Sequence, residues 1–239
     1  MTHTLYQTDS YLQTFEAEVA FIDEENHAII LNQTAFYPGG GGQPNDIGTL
    51  SYSGIPFHVS KVKKVGVEVH HFIDGDIILP HPGSRMTGQI DWQRRYQLMR
   101  THTALHVLCG VVFRDYGALV TGGDMDPLKG RMDFEFETMQ KELVQEIEMA
   151  INIEVEKSRQ VNVQILPRDE AFQIPDLIRT KINLLPEGIT HVRTVEIVGL
   201  DLQADGGTHV GNTSEIGRIQ VVDYKSKGKI NKRIYIELK

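Results

Sequence analysis

The stretch Arg100-Thr101-His102-Thr103-Ala104-Leu105-His106, inside the run from Asp91 to about Tyr116, decides the fold. Apolar residues recur in that run at helical spacing, which predicts a strongly amphipathic helix. Asp91 stands at the N-cap position, and Gly117 with Gly122-Gly123 is expected to end the helix and open a loop. Residues four apart share a helix face, so His102 and His106 point the same way. Two imidazoles so placed can bind one metal ion. His209 lies about a hundred residues downstream, in the turn Asp205-Gly206-Gly207-Thr208-His209. Two ligands from a helix and one or two from a distant loop are a common way to build a catalytic zinc site. A His-x-x-x-His pair alone also occurs as ordinary solvated histidines, so the inference rests on both segments together.

Outward from the helix, residues 1–88 predict a small β-barrel domain. Phe15–Ile22 and His27–Asn32 alternate around the turn Asp23-Glu24-Glu25-Asn26 and form a hairpin. Gly48–Val59, Ser60–Val67 and Val69–Phe72 are expected as further short strands, with Leu79–Gly83 as a boundary segment. Residues 89–239 predict an α+β two-layer domain with a largely antiparallel sheet. Its expected elements are a strand over Arg131–Glu137, a helix capped by Thr138, and strands over Val161–Leu166 and His191–Val198. A hairpin of Ile216–Asp223 with Ile230–Leu238 closes the chain. In the second helix Leu143, Val144, Ile147, Ala150 and Ile151 form one apolar stripe, and Glu142, Glu146 and Glu148 face away.

The 239 residues are 40% hydrophobic and 23% charged, an ordinary composition for a soluble globular protein. No apolar run is long enough to cross a membrane and no leader is apparent, so a cytoplasmic protein is expected. The single cysteine, Cys109, excludes an internal disulfide and a multi-thiolate zinc site. It lies in the apolar run Val107–Val112, where a buried, inert thiol is expected. The net charge of −8 is unfavourable for binding nucleic acid, so any basic surface must be local. The candidates are Lys61/Lys63/Lys64, Arg94/Arg95/Arg100, Lys129/Arg131 and the tail from Lys225 to Arg233.

The wording of Asp91–Leu108, together with Gly206-Gly207-Thr208-His209-Val210, Asn212-Thr213 and Glu215-Ile216-Gly217, resembles the editing domain of alanyl-tRNA synthetase and its free-standing AlaX relatives. The resemblance runs from about Phe15 to about Asp223. It implies a trans-editing hydrolase of intermediate length that deacylates tRNA(Ala) mischarged with serine or glycine. It implies one Zn2+ per chain on His102, His106 and His209, with the acceptor end of the tRNA as partner and no membrane. The resemblance is compatible with a monomer, the oligomeric state being open, and no amino-acid-activating core is expected. The family pattern has a cysteine four residues before the last histidine, where this chain has Asp205. Asp205 can be the fourth ligand, orient a neighbouring ligand, or only shape the Gly-Gly turn. Thr121 sits where the resemblance places the group that reads the serine hydroxyl; the alternative is a turn threonine. The stretch Phe36–Gly48 resembles the glycine-rich motif of the longer editing proteins. There Thr34, Gly40, Gly41, Gly42 and Gln43 are expected to meet the substrate, unless the loop is a flap without contacts. It lacks the Lys-Ser/Thr of a P-loop. Against the metal-dependent deacylase stand a catalytically inert tRNA-binding module with a decayed metal site, and a hydrolase of small esters.

Overall fold

In the computed structural model, which describes residues 1–180, 185 and 188–239, the chain divides into two units, Met1–Tyr96 and Gln97–Lys239. In the first, β2 (Thr14–Asp23), β3 (Ala28–Leu31), β5 (Gly48–Tyr52), β6 (Ile55–Val65), β7 (Glu68–Ile73) and β8 (Arg85–Ile90) close a barrel in the order β2-β3-β7-β6-β5-β8. A short parallel pair, β1 (His3–Thr4) with β4 (Gln33–Thr34), lies outside it. Alternation along β2 sends Phe15, Ala17 and Val19 inward, where they meet Leu31, Leu50, Phe57, Val59 and Met86. β8 completes closure by pairing with both β2 and β5, so residue 88 falls inside a barrel strand.

The expected strand Gly48–Val59 is in fact a hairpin. Ser53 and Gly54 both have positive φ, +50° and +81°, and Tyr52 pairs with Ile55 across them. Both central residues of a two-residue I′ turn need that conformation. The expected separate strand from Ser60 continues β6, past a register shift between Val59 and Lys61.

One buried ion pair fastens the first unit. Arg95 is fully buried and pairs with Asp46, while its guanidinium also donates to the carbonyls of Ala35 and Ser10. Asp46 in turn accepts from the Tyr37 amide at 2.6 Å. Arg95 belongs to one of the basic clusters considered for phosphate, and this burial removes it from that role.

The division between units falls within α1 (Trp92–Tyr116). Asp91 caps it as expected, its Oδ1 accepting from the Arg94 amide at 3.0 Å. The helix is not amphipathic in its middle: Thr101 to Val112 are all buried. Thr101 and Thr103 satisfy their hydroxyls on the carbonyls of Gln97 and Met99, four residues back. That is how hydroxyls fit a helix enclosed on every side. Cys109 is buried, as expected.

In the second unit, β9 (Val120–Asp126), β10 (Lys129–Glu135), β14 (Ile219–Ser226) and β15 (Asn231–Leu238) form a sheet of order β14-β15-β10-β9. Its pairings are antiparallel. Gly122 and Gly123, expected in a loop, are instead in β9 opposite Asp133 and Met132. β11 (Val161–Pro167), β12 (His191–Ile197) and β13 (Asp201–Ala204) form a second antiparallel sheet, β13 being unforeseen. α2 (Lys141–Glu156) starts after Gln140, not Thr138. Its Val144, Ile147 and Ile151 are buried as the apolar stripe requires. Asn152 pins β14 to it, accepting from the Ile219 amide and donating to the Ile219 carbonyl. α3 (Arg168–Ala171) is one turn. Among the described residues no helix is long and apolar enough to cross a membrane.

The barrel interior holds an acid-sensitive group. His71 is buried, with Nδ1 at 2.9 Å from the Ile29 carbonyl and Nε2 at 2.8 Å from the Thr34 hydroxyl. Burial lowers its pKa from 6.5 to about 4. On acidification the unfolded chain takes up this proton first, so stability falls as pH drops from 6.5 toward 4. The loss is on the order of 3 kcal/mol. We expect urea unfolding, followed by the fluorescence of the single tryptophan, Trp92, to show this slope, and His71→Gln to flatten it. An equal slope in the variant would refute the assignment.

Candidate metal centre

Four side chains converge in the second unit. His102, His106, Asp205 and His209 each offer one ligand atom, and these atoms all lie within 4.8 Å of one another. The histidine rings are 4.2 to 5.1 Å apart between centroids. All three histidines are buried, and the Asp205 side chain is only 13% exposed. His102 and His106 come from one face of α1, as their spacing requires. Asp205 directly follows β13 and accepts from the Gly207 amide at 2.7 Å, a bond that turns the chain and returns His209 to the same place. Asp205 Oδ1 is 3.5 Å from His102 Nε2, and its Oδ2 is 3.0 Å from His209 Nε2.

Outer contacts aim these groups. His106 Nδ1 is 3.1 Å from Asp201 Oδ2, an oxygen that also accepts from Gln203 Nε2 at 2.6 Å. A carboxylate only accepts, so Nδ1 carries the proton and Nε2 is left for the cluster. His209 Nδ1 lies 3.2 Å from the Thr103 hydroxyl, which can accept from it while donating to the Met99 carbonyl. Arg193 donates to the Asp205 carbonyl at 2.9 Å and stands 3.7 Å from its carboxylate.

The electrostatics suit a cation. Burial pushes His102 well below its ordinary pKa, although Asp205 pulls the other way. Burial likewise takes His209 down to about 4, against its bond to Asp205. Burial opposes charge on His106 too, but the hydrogen bond and charge of Asp201, helped by Asp205, outweigh it and raise its pKa. Burial also opposes ionisation of Asp205, yet His102 and His209 hold its carboxyl well below the usual range. At neutral pH the cluster therefore holds an anionic oxygen beside the uncharged imidazoles of His102 and His209. Three nitrogens and one oxygen fit zinc in a four-coordinate or open three-ligand arrangement.

A family model described as "tRNA synthetases class II (A)" matches residues 5–94, and "Threonyl and Alanyl tRNA synthetase second additional domain" matches residues 192–235. The alanyl-tRNA editing protein AlaX-M of Saccharolobus solfataricus is 41% identical over 241 residues, spanning 100% of both chains. The chain belongs to the AlaX-M family. The AlaX-M of Methanosarcina acetivorans is 38% identical over 244 residues, covering 100% of this chain and 99% of its own. The alanine–tRNA ligase of Ignicoccus hospitalis is 35% identical over 227 residues, 92% of this chain but 24% of the ligase. The AlaX-M resemblance inferred from the histidine and glycine motifs thus holds along the whole chain.

The other residues singled out in the sequence are placed differently. Thr121 is exposed on β9 and donates to Asn231 Oδ1 on β15 at 2.9 Å. Thr34 is buried in the first unit, bonded to His71 and accepting from the Phe36 amide at 3.1 Å. The glycine run is a closed turn: Gly40 and Gln43 exchange backbone hydrogen bonds of 3.0 and 2.9 Å across Gly41 and Gly42. Both central glycines have positive φ, +58° and +87°, which side-chain-bearing residues rarely adopt. The Tyr37 hydroxyl donates to the Gly40 carbonyl at 2.9 Å and Gln43 is buried, so the loop is fastened at its base. Arg100 binds the Ile216 carbonyl and is engaged structurally.

Asp201, Thr103, Gln203 and Arg193 were not foreseen. One signal was available: Asp201, Gln203 and Asp205 alternate with Leu202 and Ala204, which places three polar groups on one side of an extended chain. A second was Gly110, inside a helix. A β-carbon there would stand 2.9 Å from Leu200 Cγ and 3.0 Å from Asp201 Cβ. Alanine would gain about 1 kcal/mol of helix propensity. Overpacking costs about 1–3 kcal/mol, and the cost should win. We expect Gly110→Ala to lower the midpoint of thermal unfolding; an unchanged or higher midpoint would show that Leu200–Asp201 yields freely.

Proposed function

We propose that the protein hydrolyses the ester joining a wrong amino acid to tRNA(Ala), chiefly serine and also glycine, with one Zn2+ held by His102, His106, His209 and Asp205. The observation that carries this reading is the buried four-residue cluster in a chain of the AlaX-M family. Relatives across the full length are named alanyl-tRNA editing proteins, and editing means deacylation in trans. When bound, the metal supplies a Lewis acid for the ester carbonyl and lowers the pKa of a water toward about 7.

The chain's own residues do the rest. Asp201 presents His106 with Nε2 inward, and the Thr103 hydroxyl, 3.2 Å from His209 Nδ1, holds that ring with its Nε2 on the side of Asp205, where a metal would be bound. Asp205 supplies the anionic oxygen. The turn of Gly40, Gly41, Gly42 and Gln43, closed by the Gly40 and Gln43 amides, offers the backbone amides of Gly41 and Gly42 to the acceptor end, and Thr34 braces the Phe36 amide leading into it. Thr121 reads the serine hydroxyl. A hydroxyl contact discriminates strongly only when desolvated, so exposed Thr121 acts when substrate covers it, with Asn231 fixing its orientation. Lys61, Lys63 and Lys64 are exposed and remain available to phosphate. The protein acts as a monomer in the cytoplasm.

The test uses tRNA(Ala) charged with serine, glycine or alanine, incubated with the protein with and without a chelator. Release of serine, abolished by the chelator, with alanine spared, is the expected outcome. His102→Ala should lose roughly a thousandfold or more in turnover, as removal of a Lewis acid worth several kcal/mol requires, while tRNA affinity changes little. No release of any amino acid, with no zinc in the purified protein, would favour a tRNA-binding module with a decayed site. Hydrolysis of free seryl esters without preference for tRNA would favour a small-ester hydrolase.

A further inference from the structure

We propose that Asp201 is a positioning residue for the metal centre, fixing the tautomer and orientation of His106 so that Nε2 is delivered to the ion, with Arg179 balancing its charge. This rests on the metal-centre reading above. The Asp201 side chain is fully buried, and one of its oxygens, Oδ2, is shared between His106 Nδ1 and Gln203 Nε2. Gln203 Nε2 also reaches Cys109 Sγ at 3.3 Å, which fixes its amide orientation. The second oxygen, Oδ1, accepts no hydrogen bond and faces Arg179 Nε at 3.6 Å.

Arg179 is itself clamped. Its guanidinium lies 3.7 Å from the centroid of the Phe113 ring on α1, and its backbone carbonyl accepts from the Val120 amide at 3.1 Å. Asp176 is its other acidic neighbour, at 3.8 Å. A buried carboxylate without a compensating cation is strongly destabilising. A cation in full bidentate contact would instead draw the carboxylate away from the imidazole. At 3.6 Å, Arg179 offsets the charge of Asp201 without taking a hydrogen bond. The oxygen facing His106 keeps its accepting power. An arrangement serving stability alone would close the Arg179–Asp201 pair, since Arg179 Nε and Nη1 are also without hydrogen bonds.

An asparagine at this site can turn its amide NH2 toward Nδ1, which would put the proton on Nε2, where the ion must bind. The test compares wild type with Asp201→Asn. Long-range 1H–15N spectra of the metal-free proteins report the His106 tautomer, and chelator competition gives the zinc dissociation constant. We expect Nδ1–H in the wild type, a shift toward Nε2–H in the variant, and zinc affinity weakened about 10- to 100-fold. Asp201→Glu should recover part of the loss. Unchanged zinc affinity in a folded Asp201→Asn would overturn the proposal. If that variant does not fold, the wild-type spectrum decides alone: His106 as Nε2–H would overturn it. Wild type that binds no zinc brings down the metal-centre reading and this proposal with it. Wild type that binds zinc while Asp201→Asn binds it equally well brings down this proposal only.

Discussion

The site depends on a close approach in which a helix lacks a β-carbon. At Gly110, α1 comes so close to Leu200 and Asp201 that an added β-carbon would stand 2.9 Å from Leu200 Cγ and 3.0 Å from Asp201 Cβ, and a neighbour would have to shift. That approach joins segments about ninety residues apart in sequence. It puts Asp201 one turn from His106, at 3.1 Å from its Nδ1. β13 then runs on from Asp201, and the chain reverses at Asp205 to Gly207 and returns His209 to the first two histidines. A glycine inside a helix sacrifices about 1 kcal/mol of intrinsic preference. What it gains here is the placement of Asp201 and, after it, of Asp205 and His209.

Burial and charge are set against each other throughout the centre. Three imidazoles and two carboxylates are held away from water, with Arg179 and Arg193 each beside one of the carboxylates. Burial alone would neutralise all the histidines, and it does depress His102 and His209. His106 departs from them because Asp201 supports positive charge on it. The same field that favours a proton there favours a metal ion. Asp201 therefore acts on the charge that His106 can carry as well as on the orientation of its ring.

Much of this was legible in the sequence, for a physical reason. His102 and His106 share a face by helix geometry alone, and the Gly-Gly turn before His209 marks a sharp reversal. Alternation in Phe15–Ile22 was enough for the first barrel hairpin. The Ser53-Gly54 turn was carried by a dipeptide signal but merged into one strand because apolar residues flank it on both sides. The surroundings of α1 were less legible, since a run containing Arg100, Thr101 and Thr103 looks half-polar. Those residues are buried or engaged by bonds to carbonyls of their own helix and of Ile216. Asp201 and Arg179 are not legible in the sequence because no local period links them to the histidines; only the tertiary approach does.

Asp205 stands where the resemblance to the editing domain places a cysteine, and its two oxygens make different contacts. An aspartate that only shaped the turn would need the Gly207 bond and nothing else, and that bond uses Oδ2. Oδ1 is then superfluous to the turn, yet it points at His102 from 3.5 Å inside the cluster. A thiolate has one ligand atom and would have to give up the turn bond or share it. A carboxylate can do both, Oδ2 holding the backbone reversal while it lies 3.0 Å from His209 Nε2, and Oδ1 facing His102. Shaping the turn and supplying a ligand are thus compatible in Asp205. A carboxylate is a harder donor than a thiolate and would loosen a preference for zinc over other divalent ions.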